Sequence, residues 1–377
     1  MPGHHATARS LLAHYLALVY GLAIVYASLQ PFATWIAPAE GTPFFLFAPW
    51  PPRWTRFDVI ANVIAYLPFG LFMALVPYRC AALARIAVAI ASGALLSFAM
   101  ETAQMFLPPR DASAMDLIAN TAGSAAGGML GSWMAQSERA GRAAIALRVH
   151  WFLRGKVGDF GLALLAIWLV VQINPGIALF ATTYDPDFQL NAAAMLPAPP
   201  YDVAGLLIAA ANSAFQLLGV GLFLALLLRQ RRYVGSAVVL LLLTAMLIKG
   251  IAAAVLLKPA AWEHWLSPGV PVGVAVGALL LLVTIWLPRP VQVTLATVAL
   301  LSSLLTPLLT PDVVFARAPL WVFNWSYGHL LNFNGLTHTV VLLWPIAASI
   351  VLFALAARPD WGEPDQSGSD PVFPAAR

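Results

Sequence analysis

Long apolar segments alternate with short polar ones along almost the whole chain. Each segment predicts one membrane-spanning helix, because a helix needs roughly 20 residues to cross the hydrocarbon core of a bilayer. The ten segments lie at residues 11–30, 59–77, 86–107, 117–134, 158–180, 203–228, 234–257, 268–287, 291–309 and 337–357. Their apolar runs are continuous and do not alternate with polar residues, so the pattern excludes a transmembrane β-barrel.

The composition strengthens this interpretation. Apolar residues make up 61% of the 377 residues, charged residues make up 10%, and the mean hydropathy is +0.82. Soluble domains average about 45–50% apolar and about 25% charged residues. This surplus cannot be buried in a water-soluble domain of such a size, which excludes a soluble enzyme. We therefore predict an all-α fold, a polytopic integral membrane helical bundle with about ten transmembrane helices.

The distribution of Lys and Arg predicts the orientation of the bundle. If the N-terminus is cytoplasmic, 14 of these residues fall on the cytoplasmic side, 5 fall on the outer side, and Lys249 lies inside a span. Cytoplasmic loops of membrane proteins carry the excess of positive charge. The sequence therefore predicts a multi-pass membrane protein with both termini in the cytoplasm. The net charge of +4 reflects this topology and not nucleic-acid binding.

Charge and composition also divide the chain into four parts. We predict a four-helix membrane domain at residues 1–135, a basic cytoplasmic linker at 136–156, a six-helix membrane domain at 157–357, and a disordered cytoplasmic tail at 358–377. The linker is interpreted as a solvated segment that carries topology charges. Its residues Arg148 and Trp151 would also suit an interfacial helix on anionic lipid. Cys80 is the single cysteine, so no intrachain disulfide can form.

The first four spans carry many polar side chains near their outer ends. An ionisable side chain inside hydrocarbon costs roughly 2.5–3.5 kcal/mol on insertion scales, so such residues face a cavity or a partner. Residues three or four apart share one face of a helix. We expect the candidates to converge in one outer-leaflet cluster, where Arg110 folds back to hold Glu101 ionised or to bind a phosphate or carboxylate. The candidates are Asp58, Asn62, Ser97, Glu101, Gln104, Arg110, Asp111, Asp116 and Asn120. Gly123, Gly127 and Gly131 follow at intervals of four and predict a close approach by another helix.

The order, spacing and span placement of these motifs resemble the VanZ-like family of bacterial membrane proteins. The resemblance covers residues 11–135 and is carried by the segments Tyr26–Phe32, Phe57–Asn62, Leu67–Gly70, Ser97–Gln104, Arg110–Ser113, Asp116–Asn120 and by Gly123. The four-span domain of this family takes its name from a protein associated with low-level teicoplanin resistance. The resemblance therefore implies a multi-pass cell-envelope protein of the bacterial inner (cytoplasmic) membrane with a link to glycopeptide resistance. It does not supply a biochemical activity.

The second half of the chain offers secondary candidates, which are Asp202, Lys249, His329 and Asn332. Lys249 lies in the outer half of its span, where it could snorkel outward or pair with Asp202 or Glu263. The aromatic connection 310–336 surrounds His329 and Asn332. It is interpreted as an interfacial aromatic belt, or else as a re-entrant or lid segment over a glycan or lipid headgroup. The His residues are too widely spaced for zinc, and we expect no metal and no cofactor.

Three functions stay open at the level of the sequence. The first is a protein, not an enzyme, that binds or handles an amphiphile or a lipid headgroup at the outer-leaflet cluster. The second is an integral-membrane enzyme acting on a lipid or glycolipid, with Glu101 as general base and Asp111 or Asp116 binding a divalent ion. The third is a proton-coupled secondary transporter in which Glu101 carries the proton.

A transporter would also need a second charged cluster at mid-membrane or on the inner side, and the sequence shows none, so binding ranks above transport. The expected partners are membrane lipids and a lipid or amphiphile ligand, with no nucleic acid. The identity of the ligand and the oligomeric state do not follow from the sequence.

Overall fold

A computed structural model describes residues 10–30, 32, 35–48, 55–77, 80–108, 110–183, 203–266, 269–310, 323–324 and 327–358. Within these ranges all regular secondary structure is helical, and no β-sheet forms. The helices are α1 (Leu12–Leu29), α2 (Arg56–Leu75), α3 (Ala82–Gln104), α4 (Ala114–Gln136), α5 (Glu138–Trp151), α6 (Lys156–Val171), α7 (Val203–Leu227), α8 (Val234–Leu256), α9 (Gly269–Thr284), α10 (Arg289–Leu309) and α11 (Tyr327–Ala356). Short 3₁₀ segments at Arg231–Tyr233 and Pro259–Trp265 precede α8 and α9.

Eight helical stretches in the described part of the chain are long and apolar enough to cross a membrane. They correspond to α1, α2, α3, α7, α8, α9, α10 and α11, and they confirm the all-α, multi-pass membrane class. Helices α4 and α6 coincide with the other two predicted spans. However, α6 has only 16 residues and is short for a membrane span. The apolar character of α4 is reduced, because it contains glycine, serine and the polar pair Asp116 and Asn120. The count of ten spans and the orientation of the termini stay predictions.

The helix ends follow local sequence signals. Thr55 and Asp58 form a capping box at the start of α2, in which Asp58 N donates to Thr55 Oγ1 at 3.2 Å and Thr55 N donates to Asp58 Oδ2 at 2.9 Å. Helix α6 ends at Val171, well before the predicted end at residue 180, because Pro175 and Gly176 follow. The chain then continues to Thr183 as a largely buried irregular segment.

Helix α11 is longer than its predicted span, since it begins at Tyr327 and not near residue 337. Part of the aromatic connection 310–336 is therefore helical and continuous with the span. Residues 311–322 and 325–326 of this connection, and the predicted tail beyond Arg358, lie outside the described residues.

Helix α4 packs directly against the backbone of α2. Added Cβ atoms at the three stripe glycines would collide with carbonyl oxygens of α2, which belong to Val63, Leu67 and Leu71 opposite Gly123, Gly127 and Gly131 respectively. The close approach that the glycine stripe predicts is therefore confirmed. On a neighbouring face of α4, Ser124 fills the space beside Gly70 of α2 and Gly93 of α3.

Helix α7 is the central element of the second half. It is the most deeply buried of the candidate spans and packs against α9 and α10. Helix α11 packs on α6, where Trp344 Nε1 donates to Leu164 O at 2.7 Å. Helix α1 contacts α2 and α3, but also α6 and α11, and Tyr26 Oη lies 2.6 Å from Thr339 Oγ1. The first helix is thus shared by both halves of the bundle.

The predicted linker 136–156 is helical over Glu138–Trp151. At its end, Trp151 stacks on Tyr233 with ring centroids 5.0 Å apart and an interplanar angle of 4°. The next residue, Phe152, pairs through its backbone with Leu228. These contacts place the end of the linker against the start of α8. The boundaries of the predicted domains stay a prediction.

Candidate functional site

Polar side chains from α2, α3 and α4 meet near the starts of α2 and α4 and the end of α3. Asn62 Nδ2 donates to Asp116 Oδ1 at 2.8 Å, and Asn120 Nδ2 donates to Ser97 Oγ at 2.9 Å. Each bond joins two different helices. The i to i+4 spacing of Asp116 and Asn120 presents both side chains on one face of α4, so that one contacts α2 and the other contacts α3.

Glu101 is the most buried acidic residue of this group, with 3% of its surface exposed. Its Oε2 accepts a hydrogen bond at 2.8 Å from the backbone N–H of Ser113, the residue that also caps α4. Asp116 and Arg110 both lie close enough to interact electrostatically with the Glu101 carboxylate. The site therefore combines two carboxylates and one guanidinium in a largely apolar bundle.

Arg110 and Gln104 reach the end of α1. Gln104 Nε2 donates to Ser28 O at 2.9 Å, and an Arg110 Nη2 hydrogen bond goes to Ala27 O. These carbonyls belong to the last turn of α1, where intrahelical partners are missing. Burial lowers the pKa of the Arg110 guanidinium, and the nearby Glu101 carboxylate opposes that change. Arg110 thus folds back over the site, but it interacts with Glu101 only through space and forms no ion pair with it.

We use the name α2–α4 polar cluster for the residues that the structure brings together here: Asn62, Tyr66, Ser97, Glu101, Gln104, Arg110, Asp116 and Asn120. Asp58 caps the start of α2. Asp111 is exposed, and no contact within the described residues joins it to the cluster. The turn before α4 leaves Asp111 exposed, so its convergence with the other residues stays a prediction. No group of three His, Cys, Asp or Glu side chains in the described part of the chain could hold a metal ion.

Tyr66 is a member of the cluster that the sequence analysis missed. It is buried, its hydroxyl interacts with the Ser97 side chain, and it lies close enough to Glu101 and Asp116 to interact with both electrostatically. Its spacing of four from Asn62 was the available signal, because that spacing places both side chains on one face of α2. An aromatic residue in an apolar span is ordinarily assigned to packing, and its hydroxyl was therefore overlooked.

Several buried polar atoms in and beside the cluster have no hydrogen-bond partner among the described residues. They are Gln30 Oε1, Arg110 Nε, Asn120 Oδ1 and Ser124 Oγ. Buried polar groups in proteins are almost always hydrogen-bonded, so each exception calls for an explanation. The unpartnered atoms here include both hydrogen-bond donors and acceptors. A site that binds a polar ligand or water would contain such atoms when the ligand or water is not present.

Aromatic residues cover the end of α3 beside the cluster. The Phe98 ring lies 6.0 Å from Phe44 and 5.7 Å from Phe45, while Phe47 is 81% exposed. Ile36 N donates to Phe106 O at 2.9 Å and holds the covering segment, residues 35–48, against this end of the helix. An exposed apolar surface therefore lies next to a buried polar site.

Lys249 does not snorkel, and that prediction was wrong. The side chain is fully buried, and its Nζ donates to Asn174 O and to Ile177 O, each at 2.8 Å. The irregular segment after α6 exposes carbonyl groups that helices would have used internally, and these satisfy the ammonium. Pairing with Glu263, which is exposed, is not formed. Asp202 and the side chains of His329 and Asn332 lie outside what the structure describes.

The segment that binds Lys249 is also tied to α11. Asn174 Nδ2 donates to Asn334 Oδ1 at 2.6 Å and to Thr337 Oγ1 at 2.7 Å, and Thr183 Oγ1 lies 2.8 Å from His338 Nδ1. These bonds fix both ends of residues 174–183. The contacts around Lys249 therefore serve to hold irregular backbone inside the bundle.

The other end of α6 carries a buried ion pair that the sequence analysis did not anticipate. Asp159 is 1% exposed and accepts hydrogen bonds from Arg148 Nε at 2.9 Å, Leu11 N at 2.7 Å and Ser10 Oγ at 3.1 Å. The sequence showed no second charged cluster at mid-membrane or on the inner side, and it did not reveal this buried pair of Arg148 and Asp159. Arg148, considered above as a lipid-facing residue, is instead paired inside the protein.

The helices and the α2–α4 polar cluster define a multi-pass helical membrane protein with a buried polar site at one end of its first four helices. Residues 10–135 match the family model described as VanZ/LLP1. This range ends within α4 and contains the whole cluster, so the chain carries a VanZ-like domain there, followed by an extension of seven helices in the described part of the chain. No curated protein and no solved structure matches the chain.

Proposed function

We propose that this protein is an inner-membrane protein of the bacterial cell envelope that binds an amphiphile or a lipid headgroup at the α2–α4 polar cluster. The observation that carries the proposal is the set of unpartnered buried atoms, above all Arg110 Nε and Asn120 Oδ1. A fully structural network would leave few such atoms, since each unmade bond costs about 1–3 kcal/mol. The VanZ-like domain supports a link to teicoplanin-type resistance at the level of the family.

The chemistry of the cluster suits a polar group that both donates and accepts hydrogen bonds. The Arg110 guanidinium would contact a phosphate or carboxylate of the ligand. The Glu101 and Asp116 carboxylates would accept from hydroxyl or amino groups. The exposed side chains of Leu46 and Phe47 lie beside the site and would contact an apolar chain. A polar head joined to an apolar tail meets both requirements.

Two substitutions test the proposal. Glu101→Gln keeps the size of the side chain but replaces one accepting carboxylate oxygen with an NH₂ donor. Arg110→Lys keeps the charge but removes the planar fork. We expect each variant, at wild-type abundance in the membrane, to retain about tenfold less of the specific ligand, because a charge-assisted hydrogen bond contributes about 1.5–3 kcal/mol. Unbiased lipid mass spectrometry on the purified proteins measures the retained ligand.

Asp111→Asn is the matched control. It removes one carboxylate from the same turn, but from a side chain that is exposed and outside the cluster. Its ligand content should equal that of the wild type. If Glu101→Gln and Arg110→Lys also retain wild-type amounts at equal abundance, the cluster is a structural network and the binding proposal fails.

A further inference from the structure

A groove opens between the start of α8 and the end of α9, remote in sequence from the VanZ-like domain. Its volume is about 280 Å³, and it is lined by Arg231, Arg232, Val234, Gly235, Leu282, Ile285 and Trp286. The two guanidiniums come from the 3₁₀ turn before α8, while α9 and the turn after it supply the apolar wall. The groove is therefore amphipathic.

The guanidiniums are held in place without being neutralised. Arg231 Nη1 and Nη2 donate to Trp286 O and Leu287 O, both at 3.2 Å, and Arg232 Nη2 donates to the Tyr233 hydroxyl at 2.8 Å. A guanidinium has five N–H donors, so both arginines keep donors for another acceptor. Neither forms an ion pair with any carboxylate in the described ranges. Arg289 lies near enough to Arg231 to add like charge.

The surroundings are those of a membrane interface. Trp286 is 71% exposed and Leu282 is 62% exposed, directly beside the arginines. Further cations lie at this end of the bundle, since Arg358 Nη1 donates to Arg154 O at 3.3 Å and Arg229 interacts electrostatically with Arg154. Exposed tryptophan next to clustered arginine is typical of the boundary between the hydrocarbon core and the cytoplasmic headgroups.

We propose that this groove binds one anionic phospholipid. The phosphate would contact Arg231 and Arg232, and an acyl chain would lie along Leu282 and Trp286. Charge complementarity favours this occupant, because the unpaired guanidiniums attract a group with net negative charge. The apolar wall of the groove would contact the acyl chain of the same molecule. A zwitterionic lipid brings a compensating ammonium group, and inorganic phosphate would use only the charged end.

Native mass spectrometry of the full-length protein, exchanged into detergent with phosphatidylglycerol or phosphatidylcholine, tests the proposal. Arg232→Gln removes one charge and leaves the Arg231 bonds to the end of α9 intact. Gly235→Leu fills the groove without changing charge, because an added Cβ at Gly235 meets no atom within 4 Å. We expect each variant to bind phosphatidylglycerol about fivefold more weakly than the wild type, with phosphatidylcholine bound weakly by all forms.

Two controls match these changes. Gly250→Leu adds the same side chain to open space on the same helix, away from the groove, and Arg56→Gln removes an exposed arginine at the start of α2. Both should bind phosphatidylglycerol as the wild type does. Unchanged binding in Arg232→Gln and Gly235→Leu would overturn the proposal, as would equal binding of phosphatidylcholine.

Two other possible occupants of the groove, inorganic phosphate and the C-terminal tail, would give different results in this experiment. If millimolar inorganic phosphate displaces phosphatidylglycerol, the groove is a phosphate site and not a lipid site. If phosphatidylglycerol binds only after residues 359–377 are removed, the acidic side chains of the tail occupy the groove. Either result would overturn the proposal.

Discussion

At the scale of single residues, Asp159 joins three segments that are separate in the sequence. Its buried carboxylate accepts hydrogen bonds from Arg148, from Ser10 and from the Leu11 backbone at the start of α1. Asp159→Asn would leave the largely buried Arg148 without a counter-charge, and breaking such a pair costs about 3–5 kcal/mol. We expect a loss of that order in the free energy of unfolding, measured by denaturation of the purified protein in detergent.

Two further variants make the Asp159 prediction specific. Glu263→Gln removes an exposed carboxylate and should leave stability unchanged within about 0.5 kcal/mol. The double variant Arg148→Met with Asp159→Leu removes both charges and should be more stable than Asp159→Asn, because no unpaired charge is left. Wild-type stability for Asp159→Asn would show that the pair contributes nothing.

The same scale shows what a sequence pattern can and cannot reveal. Asn62, Asp116 and Asn120 were predicted to face one another, because polar residues four apart in apolar helices must share a buried face. Asp159 gave no such signal, since an acidic residue in the first turn of a helix is ordinary and its partners are distant in sequence. Lys249 was misjudged because its acceptors, Asn174 O and Ile177 O, exist only in the irregular segment after α6.

At the scale of helices, the contact between α2 and α4 holds the VanZ-like domain together. Gly127 lies against Leu67 O and Leu71 N, so even one methyl group would push the two helices apart. Gly127→Ala should therefore destabilise the protein by about 1–3 kcal/mol, the usual cost of overpacking. Thermal unfolding in detergent and protein level in membranes measure this effect.

Gly250→Ala serves as the comparison for Gly127→Ala. It makes the same chemical change inside a helix, but an added Cβ at Gly250 has open space around it. Alanine also favours the helix over glycine by up to about 1 kcal/mol, so stability should stay the same or rise. Equal effects of the two substitutions would contradict the direct backbone contact between α2 and α4.

The presence of the helices followed from continuous apolar runs, whereas their ends depended on local breakers and on tertiary contacts. Hydropathy extended the fifth span to residue 180, although Pro175 and Gly176 mark a stop after Val171. The early start of α11 had no comparable signal. Its first turns contain polar residues, and the bonds from Asn174 to Asn334 and Thr337 that stabilise them come from a distant part of the chain.

At the scale of the whole molecule, α1 connects the two halves. Its last turn supplies the carbonyls that bind Gln104 and Arg110, and the same turn touches α11 through Tyr26 and Thr339. Ser10 and Leu11, which directly precede α1, donate hydrogen bonds to Asp159 of α6. The predicted division of the chain at the basic linker did not reveal that α1 contacts both halves, because hydropathy does not show which helices pack together. A ligand at the cluster would therefore lie beside a helix that also packs against α6 and α11 of the extension.

The orientation of the bundle is the remaining whole-molecule prediction. With the N-terminus in the cytoplasm, 14 Lys and Arg residues lie inside and 5 lie outside, and such a bias fixes topology because basic loops are retained in the cytoplasm. Alkaline phosphatase is active only outside the inner membrane, so a fusion after residue 145 should be inactive and a fusion after residue 190 should be active. Green fluorescent protein at the same two positions should give the opposite pattern. Phosphatase activity at residue 145, or its absence at residue 190, would contradict the predicted topology. It would also change the side of the membrane assigned to the groove between α8 and α9 or to the α2–α4 polar cluster.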